Sequence, residues 1–427
     1  MNRALVIGLA VAVTAVTAVM VYSYLDDSNH NEVTTDPVGE IAVDNAINGF
    51  GWNMFDILDG SSFFSPYGIY TALGMLANGA EPGSATEKEI MRILNSTDSS
   101  KVNEDVMKVL EALGPDVEGR EFGSSNLILV DSTLLANPNV SINGDFSDII
   151  EKYYDGTISE ADFRNNCDAV KEMITKWVDD RTKGFIPDYK SIADASTVTD
   201  LLNVVYFKGD WEYKFDAENT DDDDFTDSSG NVSAVPMMCK KITGSLKYYA
   251  DDKYRGIELP YKMDGEDIIL AMYIVIPLDG GNGCIDSWKK ESPEYREGFI
   301  EKIRGSDGYR DIRIHLPKFE MEKELDLQKI LMKMGMTISF SGSAEYTKIL
   351  DGTDLVVGGA KHQAKIKVDE EGTEAAAVTE IILEKAALPS NPFMEFYCNI
   401  PFVFTISEMT TGTNLFMGCY DGPSNVD

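Results

Sequence analysis

Apolar residues recur at helical spacing in the first half of the chain. In the segment DNAINGFGWNMFDIL, Ile47, Phe50, Met54 and Ile57 fall three or four positions apart, which places them on one face of a helix. The segment ATEKEIMRIL shows a similar pattern, and the segment 168–184 predicts a helix that ends at a glycine. The first half is therefore expected to be rich in helices.

After residue 201 the pattern changes to that of strands. Strands are predicted at the segments LLNVVYFKG, DIILAMYIVIP, DIRIHLPKFEM and HQAKIKVDEE, which are rich in β-branched and aromatic residues. An earlier strand is predicted at 125–131, which is rich in apolar residues. The last two strands are predicted at 401–407 and 414–420, and one helix at 323–335 interrupts the series. Helices followed by strands indicate a mixed α+β domain with largely antiparallel sheets.

The segment VDEEGTEAAAVTEIILEKAAL, at 368–388, permits two interpretations. In a strand, one face receives Thr373, Ala375, Ala377, Thr379, Ile381 and Leu383. The other face receives Glu374, Ala376, Val378, Glu380, Ile382 and Glu384, so that every charge falls on one side. The composition also favours a surface helix, because Glu, Ala, Leu and Lys are good helix formers. A segment that tolerates two conformations is typical of a switch element.

The N-terminus carries a separate signal. The segment 4–22 has no charged residue, and as a helix it would span about 28 Å, close to the hydrocarbon core of a bilayer. Arg3 before it and Asp26 after it place the C-terminal body outside the membrane. We expect residues 1–25 to be a signal peptide or a signal anchor, 26–39 a polar tether and 40–427 the folded domain. The protein is then secreted or extracellular, either free or anchored through residues 4–22.

Composition narrows the classes of partner. The chain has 427 residues, 43% of them hydrophobic, which suffices for one large domain or two ordinary ones. Acidic residues outnumber basic ones by 72 to 37, and the formal net charge is −35. Such a surface repels nucleic acid and anionic lipid. No nucleic-acid partner is expected, and contact with a membrane is expected only through the N-terminal segment.

Catalytic motifs are missing from the sequence. The three histidines are His30, His315 and His362, and no HExxH, GxSxG or GxxxxGK[ST] motif occurs. Five scattered cysteines form no CxxC pair, and the run DDDD lacks the alternating ligands of a calcium loop. We therefore expect no metal and no cofactor, and an enzyme is the weaker hypothesis.

The segment HQAKIKVDEEGTEAAA, at 362–377, resembles the hinge of a serpin reactive-centre loop. An acidic pair, Gly-Thr-Glu and consecutive alanines follow a strand that begins at a histidine. The segments SSFFSPYGIYTALGML, LLNVVYFKGDWEYKFDAENT, VPMM, LPKF and PFVFTI are similar to serpin blocks and occur in the family's order. The chain is identified by these motifs as a member of the serpin family over about residues 40–423.

The resemblance implies the serpin fold, with three β-sheets, eight or nine helices and an exposed reactive-centre loop at about 370–396. It also implies an activity, which is the irreversible inhibition of serine proteases by a suicide substrate. The protease cleaves the loop and forms an acyl-enzyme, and the loop then inserts into the main sheet as a new strand before water can release it. Such an inhibitor is expected to be a monomer.

The hinge that would enter the sheet first is small and uncrowded. Bulky or charged side chains at Thr373 or Ala375 would stall entry, and this chain has neither. The small residues argue against a non-inhibitory serpin that acts as a binding or carrier protein. An inhibitor of cysteine proteases needs the same loop and stays an alternative. The hinge residues implied by the resemblance are Glu370, Glu371, Gly372, Thr373, Glu374, Ala375, Ala376 and Ala377.

The spacing typical of the family places the cleaved bond about fourteen residues after Gly372, between Ala386 and Ala387. Alanine suits the small pocket of an elastase-like or subtilisin-like protease. If the loop registers one residue shorter, Lys385 precedes the bond and the partner is a trypsin-like protease.

The resemblance also assigns residues that control opening of the sheet. Glu370 is expected to pair with Lys318, and Trp211 is expected beneath the point of insertion. Ser65, Asn203 and His362 correspond to a polar cluster beneath the middle of the sheet. Gly68 departs from the family, in which serine is common at this position, and this difference is expected to change the hydrogen bonding of the cluster.

Overall fold

The computed structural model describes residues 45–423, except 263–268, 279, 307–308, 354, 356, 358 and 374–393. The predicted signal segment and tether lie outside these residues. Within the described ranges, no helix has the length and apolar character needed to cross a membrane. All five cysteines are described, and all are free thiols.

Short polar side chains begin most of the helices. Asn45 accepts hydrogen bonds from the backbone N–H groups of Ile47 and Asn48, and Ser65 accepts one from Gly68. The described helices are α1 (Ala46–Phe55), α2 (Pro66–Gly79), α3 (Ala85–Ile93), α4 (Ser99–Leu113), α5 (Ser132–Leu135), α6 (Gly144–Tyr154), α7 (Phe163–Arg181), α8 (Cys284–Lys290), α9 (Pro293–Arg304) and α10 (Leu327–Lys333).

Eighteen strands form the sheets of the described part of the chain. The first nine are β1 (Ser62–Phe64), β2 (Arg120–Asp131), β3 (Ser141–Ile142), β4 (Gly156–Ala161), β5 (Thr199–Asp210), β6 (Thr220–Thr226), β7 (Val232–Leu246), β8 (Tyr248–Ala250) and β9 (Tyr254–Pro260). The others are β10 (Leu270–Pro277), β11 (Tyr309–Pro317), β12 (Phe319–Asp326), β13 (Leu350–Asp351), β14 (Lys361–Val368), β15 (Gly372–Thr373), β16 (Met394–Tyr397), β17 (Phe402–Glu408) and β18 (Asn414–Tyr420).

Three large sheets and one small one result. The main sheet has the order β12-β14-β15-β5-β2-β4, the core sheet β1-β18-β17-β10-β9-β8, and the four-stranded sheet β16-β11-β7-β6. Strands β13 and β3 form the small sheet. Pairing is antiparallel except for β2 with β4 and β11 with β16, which confirms the expected antiparallel character.

The predicted helices and strands that lie within the described residues are found, with shifted ends. The helix predicted at 323–335 begins only at Leu327, because Asp326 caps it by accepting from the N–H of Lys329. Residues 323–326 instead extend β12 along β14. Ten helices are described rather than eight or nine, and the four-residue α5 accounts for the excess.

Helix α2 lies in the middle of the core. It packs against β5 of the main sheet and β18 of the core sheet. Phe63 and Phe416 of the core sheet stack with ring centroids 5.5 Å apart, and the ring of Phe416 packs against Phe207 of the main sheet. The N-terminal end of α2 therefore lies directly against the middle of the main sheet, which brings Ser65 and Gly68 close to β5.

Candidate functional site

Strand β15 separates β14 from β5 in the main sheet. Thr373 pairs with Val368 of β14 on one side and with Gly209 of β5 on the other. Because β15 is antiparallel to both, β14 and β5 run parallel, yet no described ladder joins them directly. Phe207, Ile366 and Thr373 help to line one small cavity between these strands. A strand that continued from Thr373 would pair at this place.

The turn before β15 is fastened to the chain after β5. The N–H of Asp369 donates to the carbonyl of Gly372 at 3.0 Å and closes the turn. The Nε1 of Trp211 donates to the carbonyl of Asp369 at 3.0 Å, and its backbone N–H donates to the carbonyl of Glu371 at 2.8 Å. Trp211 is 3% exposed. It lies beneath the hinge, at the position that the sequence resemblance assigns to it.

Only glycine fits at the first position of β15. A Cβ atom on Gly372 would lie 2.0 Å from the carbonyl oxygen of Gly209 and 2.8 Å from the Cα atom of Asp210. Both are backbone atoms, which cannot move without displacing β5. The hinge therefore approaches β5 more closely than any side chain would allow.

Two ion pairs hold Glu370 and Glu371, the acidic pair of the turn. The Nζ of Lys318 lies 2.7 Å from Glu370, and the Nζ of Lys214 lies 2.8 Å from Glu371. Thr220 also donates to Glu370, at 3.0 Å. Burial acts to raise the pKa of Glu370, but the hydrogen bonds from Lys318 and Thr220 outweigh it and hold the pKa below its usual value. Lys318 is partly exposed, so the pair contributes less than about 1 kcal/mol.

Ser65 and His362 meet beneath the middle of the main sheet. The backbone N–H of Ser65 donates to Nε2 of His362 at 3.1 Å, and Oγ of Ser65 donates to the carbonyl of Leu415 at 2.7 Å. Burial lowers the pKa of His362 to about 4. The imidazole is therefore neutral near pH 7, which leaves Nε2 able to accept.

Asn203 has a different partner from the other two members of the expected cluster. Its Nδ2 donates to Oδ1 of Asn126 on β2, at 2.9 Å. Gly68 lies between Asn203 and Ser65, and a Cβ atom there would approach Oδ1 of Asn203 to 2.7 Å. The glycine thus lets α2 approach β5 closely, and a serine would require the side chains of Asn203 and Val205 to shift. The sequence motifs do not predict that Asn126 is the partner of Asn203. An asparagine beside the apolar residues of SSNLILVD is the one signal in the sequence for a buried polar contact at this position.

Acidification is expected to destabilise the protein through His362. Its pKa is about 4 in the folded chain and 6.5 ordinarily, so only the unfolded chain takes up this proton between those values. The contribution is fully present above pH 6.5, and about 3 kcal/mol is lost as the pH falls to 4. Urea unfolding at pH 7, 6 and 5 measures the slope. His362→Gln keeps an acceptor for Ser65 and is expected to lose less stability; equal slopes would contradict the prediction.

The chain returns to the fold in the four-stranded sheet. Glu395 of β16 accepts from Nη1 of Arg313 at 2.6 Å and lies 3.0 Å from Nε2 of His315. Both partners belong to β11, which pairs in parallel with β16. The predicted loop is therefore attached to the main sheet at Thr373 and to the four-stranded sheet at Met394. The predicted cleavage residues Lys385, Ala386 and Ala387, and the hinge residues Glu374, Ala375, Ala376 and Ala377, lie outside the described residues.

The described side chains hold no cluster that suits a metal. Nowhere in the described ranges do three or more His, Cys, Asp or Glu side chains converge on a common point.

The arrangement of three main sheets and their helices matches the serpin fold. A solved structure of the thermophilic serpin tengpin in the native state matches with a TM-score of 0.73 and 26% identity, over 89% of this chain and 94% of that chain. The family model described as "Serpin (serine protease inhibitor)" matches residues 45–423. The chain belongs to the serpin family.

Relatives in sequence come from distant organisms. An uncharacterized serpin-like protein of Thermococcus kodakarensis is 32% identical over 390 residues, which are 90% of this chain and 87% of that protein. The leukocyte elastase inhibitor of Xenopus tropicalis is 32% identical over 370 residues, which are 85% of this chain and 93% of that protein. The family thus includes protease inhibitors.

Proposed function

We propose that this serpin is an irreversible, suicide-substrate inhibitor of serine proteases. The observation that carries the proposal is the position of Thr373, which occupies the main sheet between β14 and β5 and is 3% exposed. Cleavage of the loop after this residue would free a segment that already begins as a strand. The segment would then extend β15 into the main sheet.

Inhibition is a contest between two rates. Water hydrolyses the acyl-enzyme of an ordinary substrate, whereas insertion carries the attached protease away and distorts its active site. Twelve extended residues span about 40 Å. Ladder hydrogen bonds at about 1 kcal/mol each, with burial of Ile381 and Leu383, would supply on the order of 10–20 kcal/mol. Insertion therefore has a large driving force.

The sequence around the predicted cleavage site supports a class of target. Ala386 suits the small pocket of an elastase-like or subtilisin-like protease, and Lys385 suits a trypsin-like one if the loop registers one residue shorter. A leukocyte elastase inhibitor is among the relatives in sequence. We propose that the target is an extracellular protease. The serpin would encounter it either as a secreted protein or while anchored in a membrane by residues 4–22.

A panel of proteases tests the proposal. The full chain is incubated with pancreatic elastase, subtilisin and trypsin, and the products are separated in SDS and weighed by mass spectrometry. We expect a covalent complex with elastase or subtilisin, with cleavage mapped to Ala386–Ala387. A complex with trypsin cleaved after Lys385 would select the alternative register. Cleavage of the loop without a complex in any reaction would indicate a mere substrate and contradict the proposal.

A further inference from the structure

The side chain of Thr373 faces a buried tyrosine. Its Oγ1 lies 2.7 Å from the hydroxyl of Tyr261, which directly follows β9. Thr373 is 3% exposed and Tyr261 is 0% exposed, so water cannot readily replace this hydrogen bond. A buried hydroxyl that loses its partner costs free energy. If Thr373 left the main sheet, the hydroxyl of Tyr261 would therefore lose its hydrogen-bond partner.

Aromatic packing fixes the position of the Tyr261 hydroxyl. The ring stacks on Trp211 with centroids 4.7 Å apart and an interplanar angle of 11°. It also packs against Phe207 in a T-shaped arrangement, with ring centroids 4.8 Å apart and an interplanar angle of 81°. Gly209 makes room for both rings, because a Cβ atom there would lie 2.5 Å from Phe207 and 2.8 Å from Tyr261. The hydroxyl thus marks one fixed point beneath the start of β15.

We propose that Tyr261 is a positioning residue that sets the register in which the loop enters the main sheet. The inference rests on the proposed function, and it adds the residue that determines which loop residue is the first to enter the sheet. The loop sequence alternates between a face without charge and an acidic face. A slip of one residue turns every side chain of a strand to the opposite face, so the register decides which face is buried.

A register shifted toward the later residues of the loop is penalised at Tyr261. A slip of one residue would bring Glu374 to the hydroxyl and would turn Glu380 and Glu384 toward the core as well, which buries charges without cationic partners on the strand. A slip of two residues would bring Ala375, which has no hydrogen-bonding side chain, and leave the tyrosine hydroxyl unpaired. Thr373 is the residue that satisfies Tyr261 and keeps the acidic face toward solvent.

Hydrogen–deuterium exchange of the uncleaved full chain tests this role without any protease. Tyr261→Phe keeps the ring, and Thr373→Val keeps the side-chain shape, but each removes the hydrogen bond. We expect the segment 369–373 to exchange about fivefold faster in either variant, the factor that corresponds to a hydrogen bond of ordinary net strength. Thr373→Ser retains a hydroxyl and is expected to exchange as the wild type does.

Two controls separate positioning from general destabilisation. Tyr273→Phe removes another buried tyrosine hydroxyl, whose partners are Glu258, Met409 and Arg304 and not a residue of the hinge, and is expected to leave exchange of 369–373 unchanged. The double variant Tyr261→Phe with Thr373→Val is expected to match the single ones, because one bond is lost in all three. Exchange equal to that of the wild type, or additive effects in the double variant, would overturn the proposal.

Trapping of a protease gives a second readout. Tyr261→Phe and Thr373→Val are expected to need several times more inhibitor per protease inactivated, since some chains begin insertion late or out of register. An unchanged ratio in both variants would overturn the positioning role. If the wild type traps none of the panel proteases, the proposed function fails, and the exchange experiment still decides whether Tyr261 positions the hinge.

Discussion

Thr373→Arg is expected to convert the protein from an inhibitor into a substrate. Thr373 lies buried between β14 and β5, with its hydroxyl on Tyr261. An arginine would have to bury an unpaired charge at the first step of insertion, at a cost of several kcal/mol. Because each 1.36 kcal/mol slows a step tenfold, we expect the yield of covalent complex to fall by on the order of a hundredfold. Titration of a protease with the variant, followed by separation in SDS, measures this yield.

The matched control at this position is Thr373→Ser, which keeps the hydroxyl and adds no bulk. It is expected to trap protease as the wild type does. Both variants should show the same circular dichroism as the wild type before cleavage, since the arginine can stay outside the sheet. An undiminished yield of complex with Thr373→Arg would show that inhibition does not depend on entry at this position.

Cleavage of the loop between residues 385 and 388 is expected to make the protein much more resistant to heat. Insertion would add on the order of 10–20 kcal/mol to the free energy of unfolding, through new ladder hydrogen bonds and burial of Ile381 and Leu383. For a chain of this length, this gain corresponds to a rise of on the order of 20 °C in the unfolding midpoint. The midpoints of the intact and cleaved chains are compared by circular dichroism at one scan rate, because unfolding of large chains is often irreversible.

The cleaved Thr373→Arg variant serves as the control for this experiment. It carries the same break in the chain but cannot bury its hinge, so its midpoint is expected to stay near that of the intact protein. If cleavage of the wild type left the midpoint unchanged, the folded chain would not be the less stable of two states. The mechanism proposed above would then be wrong.

Local pattern and motifs were sufficient for much of the fold. The spacing of Ile47, Phe50 and Met54 predicts a helix because one apolar face must be buried, and α1 has all three inside. The resemblance around VDEEGT predicts the pairing of Glu370 with Lys318 and the place of Trp211, and the structure contains both contacts. The end of β12 was predicted less well, since the capping preference of Asp326 competes with helix propensity over 323–326.

The sequence by itself determined the class of fold, the hinge motif and the alternation that separates Thr373 from Glu374, because these depend on neighbours along the chain. Only the tertiary structure decided what lies around them. Asn126 pairs with Asn203, and Tyr261 meets Thr373, across 77 and 112 positions of sequence. No local pattern encodes such contacts, because they exist only after β2, β5, β9 and the hinge have packed together. The same packing determines that β15 lies between β14 and β5. Without β15, these two neighbouring strands would be expected to pair with each other.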